Sequence, residues 1–454
     1  MTTTEELYQI YLQHPAISTD TRKITADSLF FALKGEKFDA NTFAKQALNA
    51  GAAYAIIDNA EYQINEKCLL VDDVLTALQD LARYYRKQLT IPVIGLTGTN
   101  GKTTTKELIN AVLSQHFKTL ATQGNLNNHI GVPLTILSID NSHQVAVIEM
   151  GANHQKEIAL LCSIAQPTHG LITNVGKAHL EGFGGVEGVK IAKGELYDFL
   201  APEPPKGRVF ERHGGIVFIN SNSETLMQMQ ALRKFENHPV FYGDAIDDLV
   251  SGEITANDPL LTLQWTNNSS GESYTVKTQL TGAYNLDNIL AAICIGVYFK
   301  LPAKEINSGV EGYQPQNNRS QIVHTATNTL ICDYYNANPS SMFVAIENIG
   351  KLQANRKVLI VGDMFELGNE SPAEHEAVIK KAMDTDVDER IFIGEKFYHG
   401  HLTMDHGLWS MVSNTFYPTI EEAIESLKLD PIKNSTILIK GSRGMALERL
   451  VGLF

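Results

Sequence analysis

Cysteine is scarce in this sequence. Four cysteines, at positions 68, 162, 294 and 332, are spread over 454 residues, and no two of them form a Cys-x-x-Cys pair. This spacing argues against a disulfide framework and against a zinc site. Four reduced thiols buried in apolar segments fit a protein of the cytoplasm, which is therefore the expected location.

Two further absences narrow the function. No apolar stretch reaches the roughly 20 residues that cross a bilayer, and the polar, acidic start of the sequence lacks the basic and apolar parts of a secretory signal. The formal net charge is -14, and no run of lysine or arginine occurs. We therefore expect no membrane span and no binding of nucleic acid, since an acidic chain repels a phosphate backbone.

The length and composition predict a folded chain of several domains. Hydrophobic residues make up 43% and charged residues 19% of the sequence, as in folded proteins. A chain of 454 residues is too long for one ordinary core. Three blocks are predicted, at residues 1–88, 89–314 and 315–454. A monomer is the default expectation.

All three blocks are predicted to be α/β. The first ends in a helix at Val74–Lys87, where apolar residues recur at helical spacing. The second alternates buried strands with helices, which is typical of a mostly parallel sheet covered on both faces. Within it, Leu260–Trp265 and Tyr274–Leu280 predict a hairpin insertion. The third repeats the alternation and predicts a Rossmann-like domain. The predicted strands are Ser28–Leu33, Ala53–Ile57 and Cys68–Val71 in the first block, Val93–Thr97, Val145–Ile148, Gly170–Thr173, Ile216–Asn220 and Val240–Tyr242 in the second, and Thr329–Cys332, Val358–Val361, Ile391–Ile393 and Thr436–Ile439 in the third.

The sharpest local signal is a glycine-rich turn between a predicted strand and a helix predicted at Lys106–Gln115. Glycines let backbone N–H groups close around phosphate oxygens, and the start of the next helix faces the anion. Lys102 would reach the β- and γ-phosphates of ATP, and the Thr103 hydroxyl would ligate Mg²⁺. The spacing G-x-x-G-K-T is shorter than the usual loop, because Leu96 stands where its first glycine would be. The residues of the turn are Gly98, Thr99, Asn100, Gly101, Lys102, Thr103 and Thr104.

Together with this turn, further strings resemble the Mur ligase superfamily, and the resemblance covers essentially the whole chain. Some positions depart from the family, since Lys156 stands where glycine is usual and Cys332 where an aspartate is usual. The matching strings are Val147-Ile-Glu-Met-Gly-Ala-Asn-His, Ile172-Thr-Asn-Val-Gly-Lys-Ala-His, Ala192-Lys-Gly-Glu, Tyr284-Asn-Leu-Asp-Asn, Tyr335-Asn-Ala-Asn-Pro, Val361-Gly-Asp-Met-Phe-Glu-Leu-Gly and Lys440-Gly-Ser-Arg-Gly-Met.

The resemblance implies an ATP-dependent ligase that forms an amide bond. The strings E-M-G-A-N-H, Y-N-A-N-P and G-D-M-x-E-L-G are similar to the branch that joins D-alanyl-D-alanine to UDP-N-acetylmuramoyl-tripeptide for peptidoglycan. By this resemblance the first block binds the UDP-sugar, the second binds ATP, and the third completes the site. Because joining a carboxylate to an amine in water is uphill, the carboxylate would first take the γ-phosphoryl group of ATP as an acyl phosphate.

Two residues that follow strands of the second block are expected to hold Mg²⁺. Glu149 and His179 lie at carboxyl ends of strands, where open α/β sheets bind ligands, and the carboxylate suits Mg²⁺ better than the imidazole does. Lys193 resembles a lysine that superfamily members carbamylate, which turns a cation into an anionic oxygen ligand. The alternative is an unmodified lysine on the helix surface beside Lys190.

The remaining site residues also rest on the resemblance. Asn285 and Asn288, one helical turn apart, would face the adenine region. Arg319 would stabilise the transferred phosphate and Asp333 would hold the ribose, so two domains must close to complete the site. The implied substrate contacts are Ser18, Arg22 and Lys34 for the UDP-sugar, Asn127, Asn128 and His129 for the muramoyl peptide, Asn336 and Asn338 near the dipeptide or nucleotide, and Ser442 and Arg443 for a carboxylate.

Simpler interpretations of several residues stay open. Arg22 and Lys34 fit solvated charges, residues 127–129 fit a helix cap, and Asn338 before a proline fits a turn. Glu366 and His375 are expected at a domain interface without a catalytic step.

Other functions also stay open. They are a tripeptide-forming or folylpolyglutamate-type ligase of the same superfamily, a P-loop switch or transport ATPase, and a non-catalytic UDP-sugar-binding protein. The Asp-Thr-Arg segment at 20–22 favours a UDP-sugar over folate, and the absence of membrane segments argues against a transporter. The sequence does not decide between lysine and meso-diaminopimelate as the third residue of the peptide.

Overall fold

The first part of the chain forms a small parallel sheet. The computed structural model describes residues 1–178, 180–201, 214–316, 318–402 and 413–454. The first sheet has four parallel strands in the order β1-β2-β5-β6, and a two-stranded hairpin, β3-β4, lies beside it. The predicted strands and the helix at Val74–Lys87 are confirmed to within a few residues. The elements are α1 Thr4–Gln13, β1 Ile17–Ser18, β2 Leu29–Phe31, β3 Lys34–Gly35, β4 Phe38–Asp39, α2 Ala44–Asn49, β5 Tyr54–Ile57, β6 Cys68–Leu70 and α3 Val74–Gln88.

Helix α3 joins the first sheet to the central one. It is capped by Asp73, the residue before its first turn, whose carboxylate accepts the N–H of Thr76. Its apolar stripe enters a hydrophobic core shared by both parts of the chain. The Tyr85 hydroxyl donates to the Ile139 carbonyl at 2.5 Å, and Arg86 donates to the Ala165 carbonyl at 2.9 Å. Since buried donors find partners across the boundary, the first two predicted blocks share this core, while the other face of the first sheet packs on a second core within the first block.

The central sheet has nine strands in the order β15-β14-β13-β12-β11-β10-β7-β9-β8. The pairs from β8 to β13 are parallel, and β13, β14 and β15 are antiparallel. The elements are β7 Val93–Thr97, α4 Lys102–Leu113, β8 Thr119–Ala121, α5 Gly131–Leu137, β9 Val145–Glu149, α6 Glu157–Ala165, β10 His169–Ile172, α7 Leu180–Phe183, α8 Val186–Leu200, β11 Ile216–Asn220, α9 Glu224–Ala231, β12 Val240–Gly243, β13 Val250–Asn257, β14 Leu260–Asn267, β15 Glu272–Thr281, α10 Leu286–Tyr298 and α11 Ala303–Gly312.

The predicted hairpin insertion is wrong in one respect. Strands β14 and β15 pair as predicted, with Trp265 opposite Tyr274. The unpredicted strand β13 links them to β12, so the hairpin extends the main sheet instead of forming an insertion. The sequence of β13, Val-Ser-Gly-Glu-Ile-Thr-Ala-Asn, is polar and partly exposed, which hides its strand character.

The last part of the chain is a six-stranded sheet in the order β16-β17-β21-β18-β19-β20, parallel except for the β16-β17 pair. The four predicted strands are confirmed, and the two edge strands, β16 and β20, are additional. The boundaries proposed at residues 88 and 314 fall in the stretches between the three sheets. The elements are β16 Gln321–His324, β17 Thr329–Asp333, α12 Pro339–Lys351, β18 Lys357–Gly362, α13 Ser371–Met383, β19 Glu389–Ile393, α14 Glu395–Leu402, β20 Ser413–Tyr417, α15 Ile420–Leu429 and β21 Thr436–Lys440.

No helix in the part of the chain that the structure describes is both long and apolar enough to cross a bilayer. All four cysteines are described, and none of them is in a disulfide.

One backbone position before α6 is strained by its side chain. Lys156 has φ 72°, and its N–H donates to a carboxylate oxygen of Glu195 at 2.6 Å. Left-handed backbone favours glycine, so we expect Lys156→Gly to raise the free energy of unfolding by about 1 kcal/mol in urea titrations. Lys156→Ala is the control, because it removes the charge and keeps the Cβ. An equal gain from both variants would assign the effect to charge.

Candidate active site

A cavity of about 790 Å³ lies between the central sheet and the last one. The glycine-rich turn, the segment 124–129, the end of β9 and the start of α10 line it from the central part. Arg319, Asp333, Tyr335 and Lys440 line it from the last part of the chain. It lies at the carboxyl ends of parallel strands, the usual ligand-binding edge of an open α/β sheet.

The glycine-rich turn has the geometry of a phosphate loop. Gly98 has φ 148°, and a Cβ there would lie 2.0 Å from the Thr173 hydroxyl. Gly101 has φ 77°, and a Cβ there would lie 2.5 Å from the Asn288 side-chain oxygen. Both positions therefore require glycine, and the turn leads directly into α4, whose first N–H groups are available to an anion.

The predicted start of the helix after this turn is wrong. Helix α4 begins at Lys102, four residues before the predicted start at Lys106. Its first turn is made of lysine and threonine, so the apolar period from which the helix was predicted begins one turn later. The early start puts Lys102, Thr103 and Thr104 in the first turn, where N–H groups lack helical partners.

Lys102 is folded back onto its own loop. Its ammonium donates to the Gly98 carbonyl at 2.7 Å and to the Thr99 carbonyl at 2.9 Å. Burial lowers the pKa of Lys102 to about 8, Glu149 counters that effect, and Arg319 adds to it. An anionic phosphate in the cavity would favour the charged form of this lysine.

Glu149 carries the strongest signal for a cation. It ends β9 and is 1% exposed. One carboxylate oxygen accepts from the Asn127 amide at 2.8 Å and from the Thr103 hydroxyl at 3.3 Å. The other oxygen is buried and has no hydrogen-bond partner among the residues that the structure describes. A buried anionic oxygen needs a donor or a cation, so Mg²⁺ fits here.

A protein-only metal cage is not found at this place. Within the described ranges, no group of three His, Cys, Asp or Glu side chains could hold a metal. One carboxylate and one hydroxyl fit the way Mg²⁺ is bound when nucleotide phosphates supply further oxygens. His179, the second predicted ligand, lies outside the described residues.

Lys193 lies on α8 with its side chain buried. It is 2% exposed, and its ammonium nitrogen lies 5.2 Å from the centre of the Phe183 ring. Burial and, to a smaller extent, the charge of Lys102 lower the pKa of Lys193 to about 7, against the opposing effect of Glu157 and Glu195. The interpretation of Lys193 as a helix-surface lysine is therefore wrong, because its side chain is buried, and the neutral amine is populated near neutral pH.

Tyr335 organises the cationic side of the cavity. The Arg319 guanidinium lies 3.8 Å from the centre of the Tyr335 ring, and that of Arg443 lies 5.3 Å from it. The buried Nε of Arg319 has no hydrogen-bond partner in the described part of the chain. Stacking on an aromatic ring orients a guanidinium while leaving its N–H groups for an anion. Tyr335 was in a matching string, but no role was predicted for it.

Asp333 is held by a lysine that the sequence did not single out as a site residue. The Lys440 ammonium lies 2.6 Å from one Asp333 oxygen, and the Ser320 N–H donates to the other at 3.3 Å. The Tyr284 hydroxyl lies 2.8 Å from the Ser320 hydroxyl. Asp333 therefore faces the cavity in a fixed orientation, since β17 and β21 pair side by side.

The two asparagines of α10 contact each other. The Asn288 amide donates to the Asn285 side chain at 2.9 Å, and the Thr105 hydroxyl donates to Asn288 at 2.9 Å. Asn285 donates to the Thr281 carbonyl at 2.8 Å. Both line the cavity, but these bonds also brace α10 against α4. Their contact with adenine stays a prediction.

Asn338 connects the last part of the chain to the phosphate loop. Its side-chain oxygen accepts the N–H of Ser341 at the start of α12, and its amide donates to the Asn100 side chain at 2.7 Å. The helix-cap geometry accounts for the asparagine before a proline, and the second bond adds an interdomain contact. Asn336 lines the same cavity and bonds to the N–H of Ala337.

The predicted muramoyl-peptide contacts line the cavity on its other side. Asn127, Asn128 and His129 all face it. The Asn128 side chain also accepts the N–H of Gly131 at 2.9 Å, so the simpler interpretation as a helix cap holds for this residue. The Gln79 amide of α3 donates to the His129 carbonyl at 3.0 Å, which ties the segment to the first part of the chain.

Three predicted UDP-sugar contacts lie outside this cavity. Ser18 ends β1, and its hydroxyl donates to the Asp20 carbonyl at 3.1 Å. Arg22 has an 86% exposed side chain paired with Asp20 at 2.7 Å, and Lys34 pairs with Asp58 at 2.6 Å. They lie near the carboxyl edge of the first sheet, and their role in substrate binding stays a prediction.

The last predicted residues have structural partners. The buried Ser442 hydroxyl accepts the N–H of Phe365 at 3.0 Å and does not line the cavity. His375 is buried, accepts the N–H of Met364 at 3.1 Å and donates to the Ser371 carbonyl at 2.7 Å. These bonds hold the turn that contains Glu366, whose φ is 63°.

Three family models match the chain. The Mur ligase middle domain matches residues 96–296, the glutamate ligase domain of Mur ligases matches residues 318–443, and the Mur ligase family catalytic domain matches residues 15–86. UDP-N-acetylmuramoyl-tripeptide–D-alanyl-D-alanine ligase from Escherichia coli is 36% identical over 442 residues, which cover 96% of this chain and 92% of that protein.

Solved structures of Mur ligases are also similar to this chain. A crystal structure of MurF from Acinetobacter baumannii is 30% identical with a TM-score of 0.85, and the match covers 99% of this chain and 98% of that one. MurF ligase from Thermotoga maritima in complex with ADP is 24% identical, and it shares the fold with a TM-score of 0.80 over 98% of this chain and 97% of that one.

Proposed function

The chain belongs to the Mur ligase family, and we propose that it is an ATP-dependent ligase that joins D-alanyl-D-alanine to UDP-N-acetylmuramoyl-tripeptide in peptidoglycan precursor synthesis. The observation that carries the proposal is the buried oxygen of Glu149 beside a phosphate loop, which has no hydrogen-bond partner among the described residues. Arg319 and Asp333 face the same cavity from the last part of the chain. Full-length relatives at this identity share the substrate pair, and the cavity supplies the groups that ATP chemistry needs.

The reaction forms an amide bond in two steps. A carboxylate oxygen of the tripeptide attacks the γ-phosphorus of ATP, ADP leaves, and an acyl phosphate results. The amine of D-alanyl-D-alanine then attacks the acyl carbon, loses a proton, and inorganic phosphate leaves. Because several anions must approach one another, the protein contributes positive charge and fixed positions instead of covalent chemistry.

Individual residues take separate parts in this reaction. The first N–H groups of α4 and the Lys102 ammonium would hold the β- and γ-phosphates. Glu149 and the Thr103 hydroxyl would hold Mg²⁺, which supplies positive charge to phosphate oxygens. Arg319 would stabilise the phosphoryl group in transfer, oriented by the Tyr335 ring. Asp333, fixed by Lys440, would accept from the ribose hydroxyls.

Lys193 is proposed to carry a carbamate. Its neutral amine attacks carbon dioxide, an N–C bond forms, and the amine loses a proton to water, which leaves an anionic oxygen pair. The lowered pKa makes the neutral form available near pH 7. Such a carbamate would supply an oxygen ligand for Mg²⁺.

The wider assignments are part of the same proposal. The first block, 1–88, would bind the UDP-sugar through Ser18, Arg22 and Lys34, with block 89–314 for ATP and block 315–454 completing the site. The cytoplasm is the proposed location, supported by four cysteines that form no disulfide, and a monomer is the proposed state.

The test is phosphate release from Mg²⁺-ATP by the purified protein. The tripeptide substrate and D-alanyl-D-alanine are each omitted in turn, and the product mass is measured. Tripeptides with lysine and with meso-diaminopimelate are run in parallel. Release that requires both substrates, with a product heavier by one dipeptide, supports the proposal. Release with a single amino acid, with a folate, or with neither substrate would contradict it and favour another ligase or an ATPase.

A further inference from the structure

A buried lysine that the proposed chemistry does not use lies one helical turn after Lys102. Lys106 is 0% exposed on α4, the helix that begins with the phosphate loop. Its ammonium donates to the Thr122 carbonyl at 2.5 Å and pairs with the Glu107 carboxylate at 2.7 Å. A buried ammonium is costly, and a methionine would fill nearly the same volume, so the charge needs an explanation.

The acceptor of Lys106 is itself bonded to the candidate metal ligand. Thr122 is the first residue after β8, the edge strand of the central sheet. Its hydroxyl accepts the N–H of Glu149 at 3.0 Å, and its own N–H donates to the Val147 carbonyl at 3.0 Å. Thr122 is therefore hydrogen-bonded to the backbone of both Val147 and Glu149, at the end of β9 that carries the Glu149 carboxylate.

Helix α4 thus reaches Glu149 by two routes. The first is direct, from the Thr103 hydroxyl to a carboxylate oxygen at 3.3 Å. The second runs from the Lys106 ammonium through Thr122 to the N–H of Glu149. After Thr122 the chain continues to Asn127, whose amide donates to the same Glu149 oxygen at 2.8 Å. Through its bond to Thr122, Lys106 therefore supports both the Glu149 carboxylate and the segment 123–129 beside the cavity.

The edge position of β8 explains why a long cationic donor is used. An edge strand has a neighbouring strand on one side only, so a buried carbonyl at its end needs a donor from elsewhere. Lys106 reaches across from the adjacent helix and supplies a charge-assisted bond, which fixes a carbonyl more firmly than a neutral one does.

We propose that Lys106 is a positioning residue that sets the place of the Glu149 carboxylate and of segment 123–129 by holding the Thr122 carbonyl. This inference rests on the proposed function, because the position of the Glu149 carboxylate affects nucleotide binding only if that carboxylate holds Mg²⁺ beside the nucleotide. Replacing a residue that orients a metal ligand typically lowers metal affinity or activity by about 10- to 100-fold.

The experiment measures the binding of a non-hydrolysable ATP analogue to the full chain at varied Mg²⁺ concentrations, for wild type and Lys106→Met. We expect the Mg²⁺ concentration at half-maximal binding to rise about tenfold, with analogue affinity in EDTA unchanged because the phosphate loop is intact. Amide exchange without Mg²⁺ is the second measurement, and faster exchange is expected at the Glu149 N–H and over residues 123–129.

The matched control removes a different bond between the same helix and the same strand. The Thr119 hydroxyl donates to the Asn110 side chain at 2.7 Å, further from the cavity, so Thr119→Val should leave the Mg²⁺ dependence unchanged. If Lys106→Met does not fold, Thr122→Val removes the hydroxyl that accepts from Glu149, and it should give the same tenfold shift.

The outcomes separate the two proposals. An unchanged Mg²⁺ dependence in Lys106→Met or Thr122→Val, or an equal shift in Thr119→Val, overturns the positioning role while the proposed function stands. Analogue binding by wild type that does not respond to Mg²⁺ overturns both, since Glu149 would then not be a metal ligand.

Discussion

Replacing Lys102 by methionine is expected to lower kcat/KM for ATP by about 10³-fold. In the protein without ligand, the Lys102 ammonium donates to two carbonyls of its own loop, at 2.7 and 2.9 Å. A phosphate in the cavity offers this ammonium a charged acceptor in place of neutral ones, and charge-assisted bonds are roughly twice as strong. The loss therefore falls on phosphoryl transfer, and steady-state phosphate release at varied ATP measures it.

The matched control for this variant is Lys190→Met. Lys190 lies on α8 and pairs with Glu187 at 2.9 Å on the protein surface, so its loss should change kcat/KM by less than about twofold. Equal losses in both variants would mean that general charge, and not a bond to phosphate, accounts for the effect. A Lys102→Met enzyme with wild-type kcat/KM would contradict the assignment of the loop.

The fold was predictable wherever a strand is buried on both faces. Segments such as β7 at Val93–Thr97 and β18 at Lys357–Gly362 are continuous apolar runs, because helices cover both sides of these sheets. The edge strands β1, β8, β16 and β20 gave no such signal. Strand β16 reads Gln-Ile-Val-His and has no fully buried residue, so its strand character comes from pairing with β17. A strand that forms mainly by pairing with another segment has no periodic hydrophobic pattern of its own from which it could be predicted.

The site was predictable where chemistry is concentrated in a short string. The phosphate loop lies within seven residues, and its two glycines have the positive φ angles that the string implies. Contacts between distant segments were not predictable in this way. The stacking of Arg319 on Tyr335 and the bond between Asn338 and Asn100 depend on how two sheets approach, which no local pattern encodes.

Lys193 shows the limit of local reasoning most clearly. Its neighbours along the chain include Lys190 and Glu195, so helical position alone fits an exposed lysine. The structure buries the side chain beneath α7, against Phe183, because α8 packs on α6 and α7 with this face inward. The lowered pKa is a property of that packing, since burial is its largest cause.

Replacing Lys193 by alanine is expected to lower kcat by about 10²- to 10³-fold, because the anionic metal ligand proposed at this position would be lost. Activity of the wild-type enzyme should fall in buffer depleted of carbon dioxide and return when bicarbonate is added, whereas the variant should not respond. Added formate or acetate should restore part of the activity of the variant by filling the space with a carboxylate. Lys190→Ala, which alters the same helix at its surface, is the control.

Stability supplies an independent check on the same lysine. Burial lowers the pKa of Lys193 from 10.5 to about 7, so between those values the unfolded chain binds a proton that the folded chain does not. The free energy of unfolding of the unmodified protein should therefore rise with pH through this window relative to that of Lys193→Met. Below pH 7 the folded wild type buries a charge, and Lys193→Met should be more stable by a few kcal/mol. Urea titrations from pH 6 to 10, without carbon dioxide, measure the difference. A difference independent of pH would mean that this amine keeps its charge in the folded protein, and a carbamate could then not form on it.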